Sequence, residues 1–169
     1  PQQLAVALAG AGRPAVYADP FARSRFSPRL VARQLGPAFL WLLLALRGLP
    51  DPYRSTLDPA EAERLADELL ASLAEPPDWL LVQLPFWTPL VEEARSRLSW
   101  PVVYDCMDFH AGFSTNENAM LARERQLLTG ADLVVVSSRF LENEAAPLAR
   151  RVVRMPNACD FDAFAAIPA

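Results

Sequence analysis

The stretch that decides the fold is residues 102–138, VVYDCMDFHAGFSTNENAMLARERQLLTGADLVVVSS. It opens with an apolar run, Val102 to Cys106, and closes with another, Leu133 to Val136. Residues 116–128 between the two runs are predicted to be a helix. Two strands joined by a helix run parallel in one sheet. Because both runs are largely apolar rather than alternating, we expect helices to cover both faces of that sheet.

The same alternation of strands and helices extends to both sides of this stretch. Asp58 is predicted to cap one helix, in which Pro59 occupies the first turn. We expect residues 21–33 to form a loop, with a short helix within it as the alternative. The predicted fold class is α/β, a Rossmann-like parallel sheet with helices on both faces. Because such domains ordinarily start with a strand and this chain starts with a helix, we also expect a first strand to precede residue 1. Further strands are predicted at residues 15–18, 38–46, 79–84 and 152–155, and further helices at residues 2–9, 59–73, 88–98 and 138–149.

The composition excludes several kinds of chemistry. All sixteen basic residues are arginine, so no lysine Schiff base or Walker lysine can operate. One histidine and two cysteines exclude a zinc finger or a multi-histidine metal site, and we expect no metal and no cofactor. No glycine-rich nucleotide motif and no G-x-S-x-G motif occurs. The longest apolar run, residues 37–46, is about half of what a membrane span needs, and the two distant cysteines predict a reducing, cytoplasmic compartment.

The charge is unevenly distributed along the chain. Residues 1–54 hold seven arginines against Asp19 and Asp51, a balance of +5, whereas residues 55–169 hold nine arginines against eighteen acids, a balance of −9. Such a basic segment predicts an anionic neighbour, for example a phosphate group or a membrane surface at the inner face of the membrane. The alternative is that these arginines are scattered on solvated loops. The arginines of interest are Arg23, Arg25, Arg29 and Arg33.

Polar residues collect where the predicted strands end. In open parallel sheets, ligands bind in the crevice outside the carboxyl ends of the strands. The sequence therefore predicts a binding site at that edge of the sheet. The residues at those ends are Asp19, Gln83 to Pro85, Cys106 to His110, Ser137 with Ser138, and Asn157.

Several ordered motifs resemble the N-terminal half of GT-B glycosyltransferases, with family 4, a retaining group, as the nearest pattern. They are Pro1 to Leu4 with Tyr17 to Pro20, Val102 to Asp108, and Ala131 to Ser138 with Met155 to Asp160. Ala158 stands where the family's P-N-G-V-D type crossover motif has glycine.

The resemblance implies a two-domain enzyme of which this chain is one half. Residues 1–160 would form the Rossmann-like acceptor-side domain and residues 161–169 the start of the interdomain linker. The donor-binding domain would be absent, which would leave the isolated domain inactive. The implied substrates are a nucleotide-sugar donor and a saccharide or lipid-linked acceptor, with no nucleic-acid partner.

His110 and Asp108 are the candidate catalytic residues. The family commonly has a histidine at the end of the strand that matches Val102 to Cys106; here Met107 occupies that position, and the single histidine follows three residues later. A neutral imidazole there could hydrogen-bond a sugar hydroxyl, although a solvent-facing loop histidine is the alternative. Asp105 and Asp108 could orient acceptor hydroxyls or act as a base, or one of them could instead cap the following loop.

The candidate substrate-binding residues are Gln2, Asp105, Ser137 and Asn157. Gln2 could equally be an ordinary exposed glutamine. Ser138 is predicted to be a helix N-cap. A catalytic pair of Cys106 with His110 is disfavoured against a plain buried thiol.

Two other functions stay open at this point. One is a non-catalytic Rossmann-like or flavodoxin-like binding module. The other is a sugar-nucleotide epimerase of GT-B architecture.

Overall fold

The computed structural model of the chain describes the backbone of residues 2–22, 31–36, 39–46 and 51–157, and the side chains of residues 4–18 and 51–157. Within these residues the elements form two sheets, one of three strands and one of four. The four-stranded sheet carries the core and the candidate site.

The three-stranded sheet lies in the first third of the chain. Helix α1 (Gln2–Gly10) precedes strands β1 (Ala15–Ala22), β2 (Val31–Gly36) and β3 (Phe39–Leu46), which are ordered β1-β3-β2. β1 pairs in parallel with β3, and β2 pairs antiparallel with it.

The first third contains two departures from the sequence prediction. β1 continues to Ala22, so Asp19 lies inside this strand, in the three-stranded sheet, and not at a strand end of the larger sheet. β2 begins inside the predicted loop of residues 21–33, and it is antiparallel where an all-parallel sheet was expected. Only residues 37 and 38 separate β2 from β3, and so short a connection permits an antiparallel hairpin but no parallel crossover. The predicted strand at residues 38–46 is confirmed as β3.

The four-stranded sheet is entirely parallel, with its strands in chain order β4-β5-β6-β7. Its crossovers are helices, as the alternating pattern predicts. Helix α2 precedes it, and short 3₁₀ turns follow β4 and β5. The elements are α2 (Pro59–Ser72), β4 (Leu80–Val82), a 3₁₀ turn (Pro85–Trp87), α3 (Thr88–Leu98), β5 (Val102–Cys106), a 3₁₀ turn (His110–Gly112), α4 (Asn118–Gly130), β6 (Leu133–Val136), α5 (Arg139–Ala145) and β7 (Val152–Arg154). The predicted α/β class with a parallel sheet flanked by helices is therefore confirmed.

One face of this sheet forms the main core. Tyr104 of β5 and Val134 of β6 are fully enclosed, and α3, α4 and α5 pack against this face through Val91, Leu127 and Leu141. Along β5 and β6 buried residues alternate with half-buried ones, which lie on the other face because successive side chains of a strand point to opposite faces.

Helix α2 begins as its sequence predicts and packs through one face. The Asp58 carboxylate accepts hydrogen bonds from the backbone N–H groups of Ala60, at 2.9 Å, and Glu61, at 3.3 Å. These bonds satisfy donors that have no partner within the helix. Leu65 on its inner face is completely buried against Phe86, in a second core cluster beside the sheet.

Candidate active site

The four parallel strands bring their carboxyl ends to one edge of the sheet. β4, β5, β6 and β7 end at Val82, Cys106, Val136 and Arg154. Gln83, Asp108 and Ser137 follow within two residues of a strand end, whereas Asp105 is the penultimate residue of β5. Two side-chain hydrogen bonds join neighbouring strand ends, one from Gln83 to Asp105 and one from Ser137 to Met107.

Asp105 is held by a residue of the adjacent strand end. Gln83 Nε2 donates to Asp105 Oδ2 at 2.8 Å, and it lies 3.9 Å from the Met107 sulfur. Both Gln83 and Asp105 are half-buried. The amide thus fixes one carboxylate oxygen of Asp105 and leaves the other outside this bond.

Ser137 ties the end of β6 to the loop that follows β5. Its Oγ donates to the Met107 carbonyl oxygen at 3.1 Å. The next residue, Ser138, is the N-cap of α5, and its Oγ accepts from the backbone N–H of Leu141 at 3.2 Å. The N-cap prediction is therefore confirmed, while the substrate-binding role of Ser137 stays a prediction.

Asp108 differs from Asp105 in its surroundings. Its side chain is exposed, and within the described part of the chain its carboxylate makes no hydrogen bond or ion pair. Within the described residues neither Asp105 nor Asp108 accepts a hydrogen bond from the backbone of the following loop. The alternative that one of them caps this loop is therefore wrong there. Asp108 consequently presents a carboxylate that is open to solvent, at the end of the central strand β5.

His110 is buried, with 5% of its surface exposed. The alternative of a solvent-facing loop histidine is therefore wrong. Burial lowers the pKa of His110, and the negative charge of Asp108 acts in the opposite direction. The net pKa lies below the ordinary value of 6.5, so the imidazole is neutral at neutral pH.

Asn116 is a site residue that the sequence prediction did not include. It was expected to begin the helix, but α4 begins at Asn118, and the Asn116 side chain turns back to His110. Asn116 Nδ2 donates to the His110 carbonyl oxygen at 2.7 Å and lies 3.4 Å from His110 Nδ1.

Exposed aromatic rings lie beside these polar groups. The rings of Phe109 and Phe140 meet edge to face, with centroids 5.0 Å apart, and both side chains are exposed. Gly112 makes room for this arrangement, since a Cβ atom there would lie 2.9 Å from Phe109 Cδ1. The contact joins the loop after β5 to the first turn of α5.

Cys106 does not form a catalytic pair with His110. Its thiol is buried and donates to the Asp108 carbonyl oxygen at 3.6 Å. Burial raises its pKa to about 11, with smaller contributions from nearby carboxylates, so the thiol stays protonated at neutral pH. Cys159 lies outside the described residues.

Glu124 is a second group that the sequence did not indicate. It is half-buried on α4, close enough to Tyr104 and Cys106 for its charge to act on both. Burial raises its pKa from 4.5 to about 7. Helix α4 therefore places a carboxyl group that titrates near neutral pH close to strand β5.

The other predicted residues are placed only in part. Asn157 is exposed, three residues after the end of β7. Gln2 begins α1 and Arg33 lies on β2, but their side chains lie outside the described residues, as do Arg23, Arg25 and Arg29 entirely.

In the described segments no cluster of three or more histidine, cysteine, aspartate or glutamate side chains could hold a metal ion. None of the helices described there is long and apolar enough to cross a membrane.

Comparison with known proteins supports the fold. No family model matches the chain, and no curated protein matches it. A solved structure of sucrose-phosphate synthase from Thermosynechococcus elongatus matches it with a TM-score of 0.67 and 16% sequence identity, over 97% of this chain and 87% of that chain. The fold is like that of a GT-B glycosyltransferase domain. At this identity the likeness describes the fold alone.

Proposed function

We propose that this chain is the acceptor-side domain of a GT-B glycosyltransferase. The observation that carries the proposal is the likeness to the synthase structure, which extends over nearly the whole chain. The proposed reaction transfers a sugar from a nucleotide-sugar donor to a saccharide or lipid-linked acceptor, with retention, as in family 4. Residues 1–160 form the domain in this proposal, residues 161–169 begin the linker, and a donor-binding domain outside this chain is required for turnover.

The arrangement at the carboxyl edge of the sheet supports an acceptor-binding role. Asp108 offers an exposed carboxylate, which can accept a hydrogen bond from an acceptor hydroxyl and take its proton. Asp105 has one oxygen fixed by Gln83, which suits it to orient a hydroxyl rather than to move. The exposed rings of Phe109 and Phe140 offer apolar surface to the C–H face of a sugar.

The direct test is turnover by the protein encoded by the complete gene. Purified protein is incubated with a panel of UDP-, GDP- and ADP-sugars and with saccharide and lipid-linked acceptors, and nucleoside diphosphate release and glycosylated product are measured. Glycosylated product supports the proposal. Isomerised sugar nucleotide without transfer indicates an epimerase, and ligand binding without any conversion indicates a binding module; either result overturns it.

A variant pair locates the chemistry within this domain. Asp108→Asn removes the exposed carboxylate, whereas Asp78→Asn makes the same change at an exposed position before β4, at the opposite edge of the sheet. We expect the first to lose most activity and the second to retain it. Equal activity of both variants would remove Asp108 from the proposed mechanism.

We also propose that the basic first third of the chain contacts anionic headgroups at the inner face of the membrane. The support is its charge balance of +5 within residues 1–54. Sedimentation with anionic liposomes at low salt tests this contact. Equal pelleting of the wild type and of a variant with serine at positions 23, 25, 29 and 33 would refute it, and loss of pelleting by that variant would support it.

A further inference from the structure

The starting observation is that Asn116 contacts His110 twice, through one nitrogen atom. Nδ2 lies 2.7 Å from the His110 carbonyl oxygen and 3.4 Å from His110 Nδ1. The backbone N–H of Phe113 also donates to this carbonyl oxygen, at 3.2 Å. A carbonyl oxygen has two acceptor positions, and these two donors use both.

These contacts determine the orientation of the Asn116 amide. A carbonyl oxygen can only accept, so the atom 2.7 Å from it must be the amide nitrogen and not the amide oxygen. The opposite orientation would place two acceptor oxygens against each other. The amide assignment therefore follows from the hydrogen-bond network itself.

The amide orientation in turn determines the protonation of the imidazole. An amide nitrogen only donates, so the ring nitrogen that it faces has to accept. A proton on Nδ1 would point at an N–H group. Nδ1 is therefore unprotonated, and the proton of the neutral ring lies on Nε2.

The Nε2 atom is left for a ligand. Within the described residues Nε2 has no hydrogen-bond partner. It is also accessible to solvent, because it is not among the unpartnered side-chain atoms that are fully buried there. The ring as a whole is held in place by burial and by an edge contact with Phe113, at a centroid distance of 6.3 Å. A buried ring with one fixed nitrogen presents its other nitrogen in a defined direction.

We propose that Asn116 is a positioning residue that holds His110 in the neutral Nε2–H form, so that His110 donates a hydrogen bond to a ligand oxygen and does not act as a base. The ligand class is an acceptor oxygen of a sugar hydroxyl or a phosphate group, and this part rests on the proposed function. Proton removal is thereby left to the carboxylates of the site, of which Asp108 is the exposed one. The tautomer itself is a property of the chain alone.

His110 is the only histidine among residues 1–169. In the ¹⁵N-labelled complete protein, its ring signals are identified as those lost in His110→Gln, and two-bond ¹H–¹⁵N correlation then assigns them to Nδ1 and Nε2. At pH 8 we expect a protonated Nε2 and an unprotonated Nδ1. Protonation of Nδ1 in the wild type would overturn the proposal.

A matched pair of variants tests the role of Asn116. Asn116→Asp replaces a donor by acceptor oxygens, so we expect the proton to move to Nδ1 and the pKa of His110 to rise by about one to three units. Asn118→Asp adds the same charge at an exposed position two residues later and should leave the tautomer unchanged. An unchanged tautomer in Asn116→Asp, or the same response in both variants, would overturn the proposal.

The NMR outcome is independent of whether the enzyme transfers sugar. If the complete protein shows no transfer but Nε2 carries the proton, the proposed function fails and the role of Asn116 stands. If transfer is observed but Nδ1 carries the proton, the function stands and the positioning role fails.

Discussion

Replacement of Glu124 by glutamine should make the protein more stable above neutral pH. The wild-type carboxyl group has a pKa of about 7 in the folded chain, because burial disfavours its charge, against 4.5 as the ordinary value. Each unit of pKa difference corresponds to about 1.4 kcal/mol, and because Glu124 is only half-buried, solvent screening reduces the expected effect to about 1 to 2 kcal/mol. That stability is fully present below pH 4.5 and is lost as the pH rises through about 7.

Urea unfolding of the wild type and of Glu124→Gln at intervals from pH 5 to pH 9 measures the effect. The variant cannot ionise at this position, so the difference in the free energy of unfolding should be small at pH 5 and should grow towards about 1 to 2 kcal/mol by pH 8. The lowered pKa of His110 acts in the opposite direction, since it costs stability as the pH falls below 6.5. Because both proteins contain His110, that contribution cancels in the difference.

Glu144→Gln is the matched control, because this exposed glutamate lies on the neighbouring helix α5. Its unfolding free energy should follow that of the wild type across the whole pH range. If Glu124→Gln also follows the wild type at every pH, the carboxyl group is not desolvated in the folded chain and the reasoning is refuted.

Three further predictions concern the edge of the sheet. Ser138→Ala should cost about 1 kcal/mol of unfolding free energy through loss of the α5 cap, with the exposed Ser114→Ala as a neutral control; equal midpoints in urea would contradict the cap. Gly112→Ala should cost about 1 to 3 kcal/mol, because the new Cβ lies 2.9 Å from the Phe109 ring. The same urea assay should show most of that loss restored when Phe109→Leu is added, and a loss unaffected by Phe109→Leu would locate the strain elsewhere. Asp108→Asn should lower kcat of the complete enzyme by about 100-fold or more, measured as nucleoside diphosphate release, and unaltered kcat would exclude it as the base.

The sequence predicted the larger sheet well because each of its elements carries a local signal. The strands β5 and β6 are short apolar runs, and the helices between strands are bounded by caps and prolines, as at Asp58 and Pro59. The antiparallel strand β2 was missed because its first residues belong to an arginine-rich stretch that was predicted to be a loop. Its pairing with β3 is a tertiary contact, which no local sequence pattern indicates.

The candidate site was predicted in outline and corrected in detail. The parallel order of the strands does bring the ends of β4, β5 and β6 together, as the links from Gln83 to Asp105 and from Ser137 to Met107 show. The sequence places Asp105 inside the predicted strand and Asp108 after it, but it does not show that Gln83 holds Asp105 while the Asp108 carboxylate is left exposed.

The sequence by itself determined the parallel α/β class and the edge of the sheet at which polar groups collect. It also excluded chemistry that depends on a lysine of this chain. These follow from residue type and local spacing, which act over a few neighbouring residues. Only the tertiary structure decided the burial of His110, its contact with Asn116 and the raised pKa of Glu124. The physical reason is that desolvation and hydrogen-bond geometry depend on which surfaces pack together, and packing joins residues that are distant along the chain.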